Sequence, residues 1–153
     1  GWRSVYPPEV FAEQMERIAI GFVGESLTAS LAMRELCGGE EGAERLREEV
    51  MFAEVAGIHF QSVANQARFV TARTALAEAR TASEAAALCE GLERILEDEL
   101  GWARRLYGIR DSRIGFEASN QYYYVPLDLA EKVLNCRDLL DRWLPAERVK
   151  WGL

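Results

Sequence analysis

The chain has 153 residues, of which 49% are hydrophobic and 28% are charged, and its formal net charge is -7. This balance is typical of one globular domain with its own core and argues against a disordered or fibrous protein. The negative charge argues against the basic face that nucleic-acid binding needs, and no apolar stretch is long enough to span a membrane. We therefore expect neither nucleic acid nor a membrane as a partner.

Three cysteines, Cys37, Cys89 and Cys136, lie in separate segments without CxxC spacing, and the chain has one histidine. These numbers argue against both a zinc site and a disulfide framework. We expect three free thiols that fill core positions, and neither a metal nor a cofactor. Free thiols favour the cytoplasm, but the sequence leaves the compartment of the parent protein open.

The first predicted helix begins after a Pro-Pro pair and runs from about Glu9 to Leu36, where the sequence CGGEEG stops it. Its apolar residues recur at three- and four-residue steps and widen into a broad stripe. We therefore expect this helix to be among the more buried. Gly21 and Gly24 are expected to let another helix approach.

The second predicted helix runs from about Ala43 to Arg80. At 1.5 Å per residue it would be a rod of about 57 Å, which is longer than a compact bundle of this size needs. The sequence therefore leaves room for a kink near Gly57 or for a projecting end.

A Thr-x-x-Glu capping box begins the third predicted helix, from about Ala82 to Tyr107. The fourth runs from Pro126 to about Leu144, and Pro145 is expected to end it. No alternating apolar pattern is long enough for a sheet, and the first two connections are short. The sequence thus predicts an all-α, antiparallel bundle of about four long helices. We expect one domain over residues 1–153 and a larger multidomain parent protein.

The segment RDSRIGFEASNQYYYVP, residues 110–126, joins the third and fourth helices; we call it the Tyr-rich connector. Its charges alternate in sign, which favours internal ion pairs. Its isoleucine, phenylalanine and tyrosines supply more apolar area than a free loop carries. We therefore expect the connector to be ordered on the bundle.

Two functional hypotheses for the connector remain open beside a purely structural clamp. Asp111 and Glu117 form a candidate acid and base pair for glycoside hydrolysis, although a sequence separation sets no distance in space. Alternatively, aromatic and amide side chains form a platform for a sugar or a contact for a neighbouring domain. The candidate contact residues in this segment are Arg113, Glu117, Asn120, Tyr122 and Tyr124.

The second helix carries a row of polar side chains at steps of four, three and three from Gln61 to Thr71, with a second polar row beside it. Such a row is usually a solvated face. Its amides also suit a hydrogen-bonding face against another domain or the connector, or a ligand. The candidate contacts on this helix are Gln61, Asn65, Arg68 and Arg73.

The single histidine argues against two kinds of site that helical bundles host. A di-iron centre needs two Glu-x-x-His pairs, whereas His59 is alone and follows Ala56 at that spacing. A phosphorelay histidine needs cations nearby, and none is close to His59 in sequence. We expect His59 to have a structural role.

The segments ANQARFVTAR, ILEDELGWARRLYGI and DSRIGFEASNQYYYVPLDLAEKVLNC together resemble the C-terminal helical region of large bacterial proteins of the glycoside-hydrolase type. In those proteins a helical bundle follows a catalytic barrel. The similarity covers about residues 44 to 140. Its most distinctive part is Asp-Ser-Arg-x-Gly-Phe-Glu with a following Asn-x-Tyr-x-Tyr. The resemblance implies a carbohydrate-processing parent whose catalytic residues lie in another domain.

These observations lead us to expect a non-catalytic accessory domain that packs against, or completes the cleft of, a neighbouring catalytic domain of the same chain. Carbohydrate is a further expected partner. One alternative is a free-standing glycoside hydrolase that uses Asp111 and Glu117. The other is a helical interaction or dimerisation module that uses the Gln61 to Arg73 side of the second helix.

Overall fold

The computed structural model describes residues 6–36, 40–110 and 126–153. Within those ranges every regular element is a helix, so the predicted all-α class is confirmed. The order of the Tyr-rich connector remains a prediction, because residues 111–125 lie outside the described residues. The helices are α1 (Pro8–Leu36), α2 (Glu40–Glu78), α3 (Ala82–Arg110), α4 (Pro126–Asp138) and α5 (Leu144–Lys150), with a π-helical segment, Leu139–Trp143, between the last two.

The helices pack on their neighbours in chain order. The backbone of α1 lies against α2, α2 lies against α3, and α3 lies against α4, the π segment and α5. In the described part of the chain the backbone of α1 approaches no helix other than α2. The body of the bundle is therefore formed by α2 to α5, with α1 along its outside. None of the described helices combines the length and apolarity needed to cross a bilayer.

Three buried clusters form the core between α2, α3 and the C-terminal helices. Cys89 and Cys136 occupy core positions as predicted, and burial raises the pKa of both thiols; Cys37 lies outside the described residues. No α1 residue with a described side chain belongs to any of the three clusters. Their buried members are Val55, Ile58, Leu106, Ile109 and Leu129 in the first, Leu76, Ala85, Cys89, Leu92 and Leu144 in the second, and Leu96, Leu100 and Cys136 in the third.

The start of α3 at Ala82 agrees with the predicted capping box. The Thr81 hydroxyl accepts a hydrogen bond from the backbone N–H of Glu84 at 3.2 Å. The Glu84 carboxylate in turn accepts one from the backbone N–H of Arg80 at 3.1 Å, one residue before the usual partner. Both bonds satisfy backbone donors that a helix start leaves unpaired.

The described part of α1 is more exposed than its sequence suggests. Ala12 and Ala19 are buried, but four of its large apolar side chains are exposed. The prediction that α1 is among the more buried helices is wrong for these residues, because periodicity counts apolar positions and not neighbouring elements. The exposed four are Val10, Ile18, Ile20 and Val23.

The close approach between α1 and α2 occurs at Gly57. A Cβ atom added there would lie 3.3 Å from Cγ2 of Val23 and 3.4 Å from the carbonyl oxygen of Ala19. No such neighbour lies within 4 Å of Gly21 or Gly24, so the helix approach expected at those two positions is not found among the described residues. At Gly57 itself α2 continues as one helix.

Replacement of Gly101 by alanine is expected to stabilise the chain, whereas Gly57→Ala is not. Gly101 is exposed within α3 and has open space around it, so the better helix propensity of alanine should add about 0.5–1 kcal/mol. At Gly57 the methyl group would press on α1, which offsets that gain. Urea unfolding of both variants measures the difference. An equal gain at Gly57 would contradict the close packing of α1 on α2.

Pro145 does not end the fourth helix, contrary to the prediction. The N–H of Leu144 donates to the carbonyl of Leu139, five residues earlier, in the π segment. Pro145 therefore falls in the first turn of α5, where its missing N–H and its ring are tolerated. The helix continues to Lys150, and Trp151 packs on the second core cluster.

Candidate functional site

A buried polar network lies where α2, α3 and α4 meet. Ser62 and Asn65 on α2 and Glu99 on α3 are each no more than 5% exposed, and Lys132 of α4 reaches them. The Ser62 hydroxyl donates to Oε1 of Glu99 at 2.5 Å, and Nδ2 of Asn65 donates to Oε2 at 3.1 Å. Lys132 forms an ion pair with the same carboxylate. Both oxygens of this buried carboxylate are thus paired, as burial of a charge requires.

Amide groups and a second carboxylate extend the network towards the surface. Nδ2 of Asn65 also donates to Oδ2 of Asp98 at 2.8 Å, and Nε2 of Gln61 donates to Oδ1 of Asn65 at 3.2 Å. Nε2 of Gln66 donates to the hydroxyl of Ser62 at 3.2 Å. The polar row predicted on this helix is therefore largely bonded inside the domain.

Lys132 connects α4 to α2, two helices whose described backbones do not approach each other. Its ammonium donates to Oγ of Ser62 at 2.6 Å, which ties α4 to α2 across the end of the first core cluster. Two titratable side chains beside the network have shifted pKa values. Burial and, to a smaller extent, the nearby charge of Lys132 lower the pKa of His59, which favours the neutral imidazole. Burial, with a smaller effect of the Glu99 charge, raises the pKa of Cys136.

A serine beside a lysine is not by itself an active site, although such pairs serve as nucleophile and base in some hydrolases. Here the ammonium of Lys132 is ion-paired with Glu99, and a charged amine accepts no proton. Ser62 is buried and lines neither of two surface depressions, one between α1, α2 and α3 and one near the end of α3. We therefore interpret the network as a tie between helices.

The two remaining candidate residues of α2, Arg68 and Arg73, differ in their surroundings. Arg68 binds the carboxylate of Glu16 on α1 through two hydrogen bonds, at 2.8 and 2.6 Å. Its hydrogen bonding lowers the pKa of Glu16, and the same pair raises the pKa of Arg68. Arg73 lies at the surface with its guanidinium 5.7 Å from the ring centre of Phe69. The pair of Arg68 and Glu16 thus fastens α1 to α2.

The candidate residues of the connector cannot be placed in this geometry, since they lie outside the described residues. The acid and base hypothesis and the sugar-platform hypothesis both stay predictions. The residues concerned are Asp111, Arg113, Glu117, Asn120, Tyr122 and Tyr124.

Ser62 and Asp98 of the network are not among the sequence-based candidates, and neither are Glu99 and Lys132, which form its ion pair. Each member of the ion pair carries a signal, because each stands at an apolar position of its helix. Glu99 lies three residues after buried Leu96, and Lys132 lies three residues after buried Leu129. A charged residue on an apolar stripe is rare unless it is paired, so the two were candidates for a buried pair.

An open groove of about 480 Å³ lies between α1, α2 and α3. Alanines of α2 line its floor, and Leu88 and Ile95 of α3 line one wall. Two of the three polar side chains that line it are already engaged: Arg68 binds Glu16, and the hydroxyl of Thr71 donates to the carbonyl of Ala67 at 2.9 Å. The third is the exposed carboxylate of Glu9. The groove therefore offers mainly apolar surface.

A smaller depression of about 260 Å³ lies between α2 and α3, near the end of α3. Two of its charged groups pair with each other, since Nε of Arg105 donates to Oε1 of Glu54 at 2.5 Å, and the third, Arg47, lies 4.0 Å from Glu44 of its own helix. Nearby, Nε1 of Trp102 is buried and has no acceptor among the described residues. This depression offers a ligand less apolar surface than the groove.

The described ranges contain no group of three or more His, Cys, Asp or Glu side chains that could hold a metal ion. Comparison of the chain with models of known protein families, with curated proteins and with solved structures gives no match. The groove and the exposed face of α1 are thus the features of the described surface that suit a partner.

Proposed function

We propose that this chain is a non-catalytic accessory domain of a carbohydrate-processing protein and that its groove packs against a neighbouring catalytic domain. The observation that carries the proposal is the groove, an open and mainly apolar depression in which Arg68 and Thr71 at the edge are already engaged. Binding of a sugar needs several free hydrogen-bonding groups that converge on it. A groove whose edge adds to these two residues only the carboxylate of Glu9 suits the apolar side chains of another protein better.

The position of the groove supports a neighbour on the N-terminal side. Pro8 and Glu9, at the start of α1, line the groove, so the chain enters the domain beside it. A domain tethered just before this point would meet the groove at a high effective concentration. The resemblance to proteins in which a helical bundle follows a catalytic barrel supports the same order.

The described residues offer less support for a hydrolase in its own right. The buried network is closed to substrate, and neither depression is lined by a pair of free carboxylates. The hypothesis that uses Asp111 and Glu117 stays an alternative whose residues lie outside the described part of the chain.

Replacement of Ala75 by phenylalanine tests the groove. Ala75 lines the groove, and the larger ring would occupy the space that a partner's side chain needs. We expect at least tenfold weaker binding, or about 1.4 kcal/mol, to the catalytic domain encoded next to this one and produced separately. Calorimetric titration measures the affinity. Ala77→Phe is the matched control, because Ala77 is an exposed alanine of α2 outside the groove.

Both variants should keep the melting temperature of the wild type, so that a change in affinity reports the contact and not the fold. Equal affinities of Ala75→Phe and Ala77→Phe would contradict the proposed contact. A gene that encodes no glycoside-hydrolase-like domain beside this one would contradict the proposed parent. Hydrolysis of aryl glycosides by the 153-residue chain, lost in Asp111→Asn, would favour the hydrolase alternative instead.

A further inference from the structure

The middle of α1 is apolar on all sides, although within the described ranges only α2 lies beside it. Residues 18–24 carry no charged or polar side chain, and among them only Ala19 is buried. Ile20 is 64% exposed, and Ile18 is also exposed. A helix that is apolar all round normally lies between other elements. Among residues 6–36, 40–110 and 126–153, none therefore covers the outer side of this stretch as its composition calls for.

The side of α1 that faces away from α2 has two glycines flanked by isoleucines, an arrangement that suits packing against another helix. Successive residues of an α-helix lie 100° apart, so Gly21 and Gly24 fall on the side opposite the buried Ala19. Ile18 and Ile20 flank the two glycines. Both glycines are open, with nothing within 4 Å of an added Cβ atom. A second helix can approach the backbone at the glycines while the isoleucines pack on either side of it.

The charges at the two ends of this stretch identify its partner. Arg17 precedes residues 18–24 in the sequence, and Glu25 follows them. An antiparallel second copy with a two-fold axis at Gly21 brings position 17 of each copy beside position 25 of the other. The sequence then has opposite charges at the adjacent positions at both ends, whereas a parallel pair would place like charges at adjacent positions.

The internal bond of Arg17 does not compete strongly with such a contact. Arg17 binds Glu13 in its own helix at 2.6 Å, but both side chains are more than half exposed. An exposed pair of this kind contributes little, so the guanidinium can turn to a second copy. With a net charge of -7, two chains repel each other over most of their surface. A contact at an uncharged stretch with complementary ends avoids that repulsion.

We propose that residues 18–24 of α1 pack against the same residues of a second copy, antiparallel, to form a symmetric homodimer. This contact differs from the Gln61 to Arg73 side of α2, where Asn65 and Arg68 are bonded within the chain. It also uses another side of α1 than the groove, so a dimer and a docked neighbouring domain are compatible.

Sedimentation velocity of the 153-residue chain over about 1 to 100 µM tests the dimer, since this range spans dissociation constants of ordinary symmetric interfaces. We expect a dimer for the wild type. Ile20→Glu places a carboxylate in each half of the contact and should weaken the dimer at least a hundredfold. Val70→Glu is the matched control, because Val70 is an exposed apolar residue of α2 outside this face, and it should remain a dimer.

The orientation has its own test. Arg17→Glu should weaken the dimer by opposing two acidic positions at each end, and the double variant Arg17→Glu with Glu25→Arg should restore it. Because Arg17 and Ile20 are exposed, the helix content and melting temperature of these variants should match the wild type.

A wild type that stays monomeric up to about 100 µM would overturn the dimer, and so would a dimer that survives Ile20→Glu. Failure of the charge reversal to restore the dimer would overturn the antiparallel register. None of these results bears on the proposed role of the groove, because that test measures binding of a different protein by variants of Ala75.

Discussion

Lys132→Met is expected to lower the free energy of unfolding by about 3 kcal/mol, because it leaves the buried carboxylate of Glu99 without its cation. The Glu99 side chain is 7% exposed and that of Lys132 is 26% exposed. Removal of one partner of a fully buried ion pair costs about 3–5 kcal/mol, and the partial exposure of Lys132 places the expected loss at the lower end. Urea unfolding at pH 7 measures it.

Two further variants separate the charge from the packing. Lys150→Met removes an exposed lysine that pairs with Glu147 and should change the stability by less than about 0.5 kcal/mol. Lys132→Met combined with Glu99→Gln should recover much of the loss, because the amide is uncharged and can still hydrogen-bond to Asn65. A loss below about 1 kcal/mol in Lys132→Met would show that Glu99 does not depend on this cation.

Leu92→Ala is expected to lower the free energy of unfolding by about 3–4 kcal/mol. Leu92 is fully buried in the second core cluster, where α3 meets α2 and α5, and its neighbours in the cluster include Leu144, also fully buried. Deletion of the buried methyl groups loses their transfer free energy and leaves a cavity that the surrounding helices only partly fill. The midpoint of urea unfolding, with an unchanged m-value, reports this loss.

Leu134→Ala is the matched control for that variant. Leu134 lies on α4 and is 68% exposed, so the same chemical change should cost less than about 0.5 kcal/mol. Similar losses at Leu92 and Leu134 would mean that the second cluster does not form as described.

The helices themselves follow from local rules. The start of α3 at Ala82 depends on a capping box four residues long, and α4 begins at a proline whose backbone angle suits a first turn. Such signals act within one turn of helix, so a single sequence contains them. The exposure of Ile20 was not predictable in this way. It depends on how many elements pack around α1, which the spacing of apolar residues does not record.

The partners within the polar network were also not predictable from the sequence. Asn65 and Arg68 stand out in the sequence, but their partners Glu99 and Glu16 lie 34 and 52 residues away. No spacing rule joins residues across such distances, and the bonds appear only once the helices are packed. Polar residues of this kind were expected at a solvated face or an external contact, whereas the domain uses them to join its own helices.

Pro145 shows a local rule overridden by packing. A proline in a helix normally ends it, because the ring clashes with the preceding turn. Here Trp143 and Trp151 on either side both pack on the second core cluster, and Arg148 binds Glu93 of α3 at 2.7 Å. These contacts hold α5 in line, and the π segment supplies the wider turn that admits the proline.

The packing of each helix on its neighbours in chain order shapes how the molecule folds. Most of its contacts join residues of the same or adjacent hairpins, and domains with such low contact order fold within microseconds to milliseconds. The bond between Lys132 and Ser62 spans 70 residues and, like the ring contact between Phe69 and Trp143, joins α2 to the C-terminal helical segments. During synthesis, α1 and α2 can pair before α4 has left the ribosome. Insertion of Lys132 between α2 and α3 then fixes α4 in place.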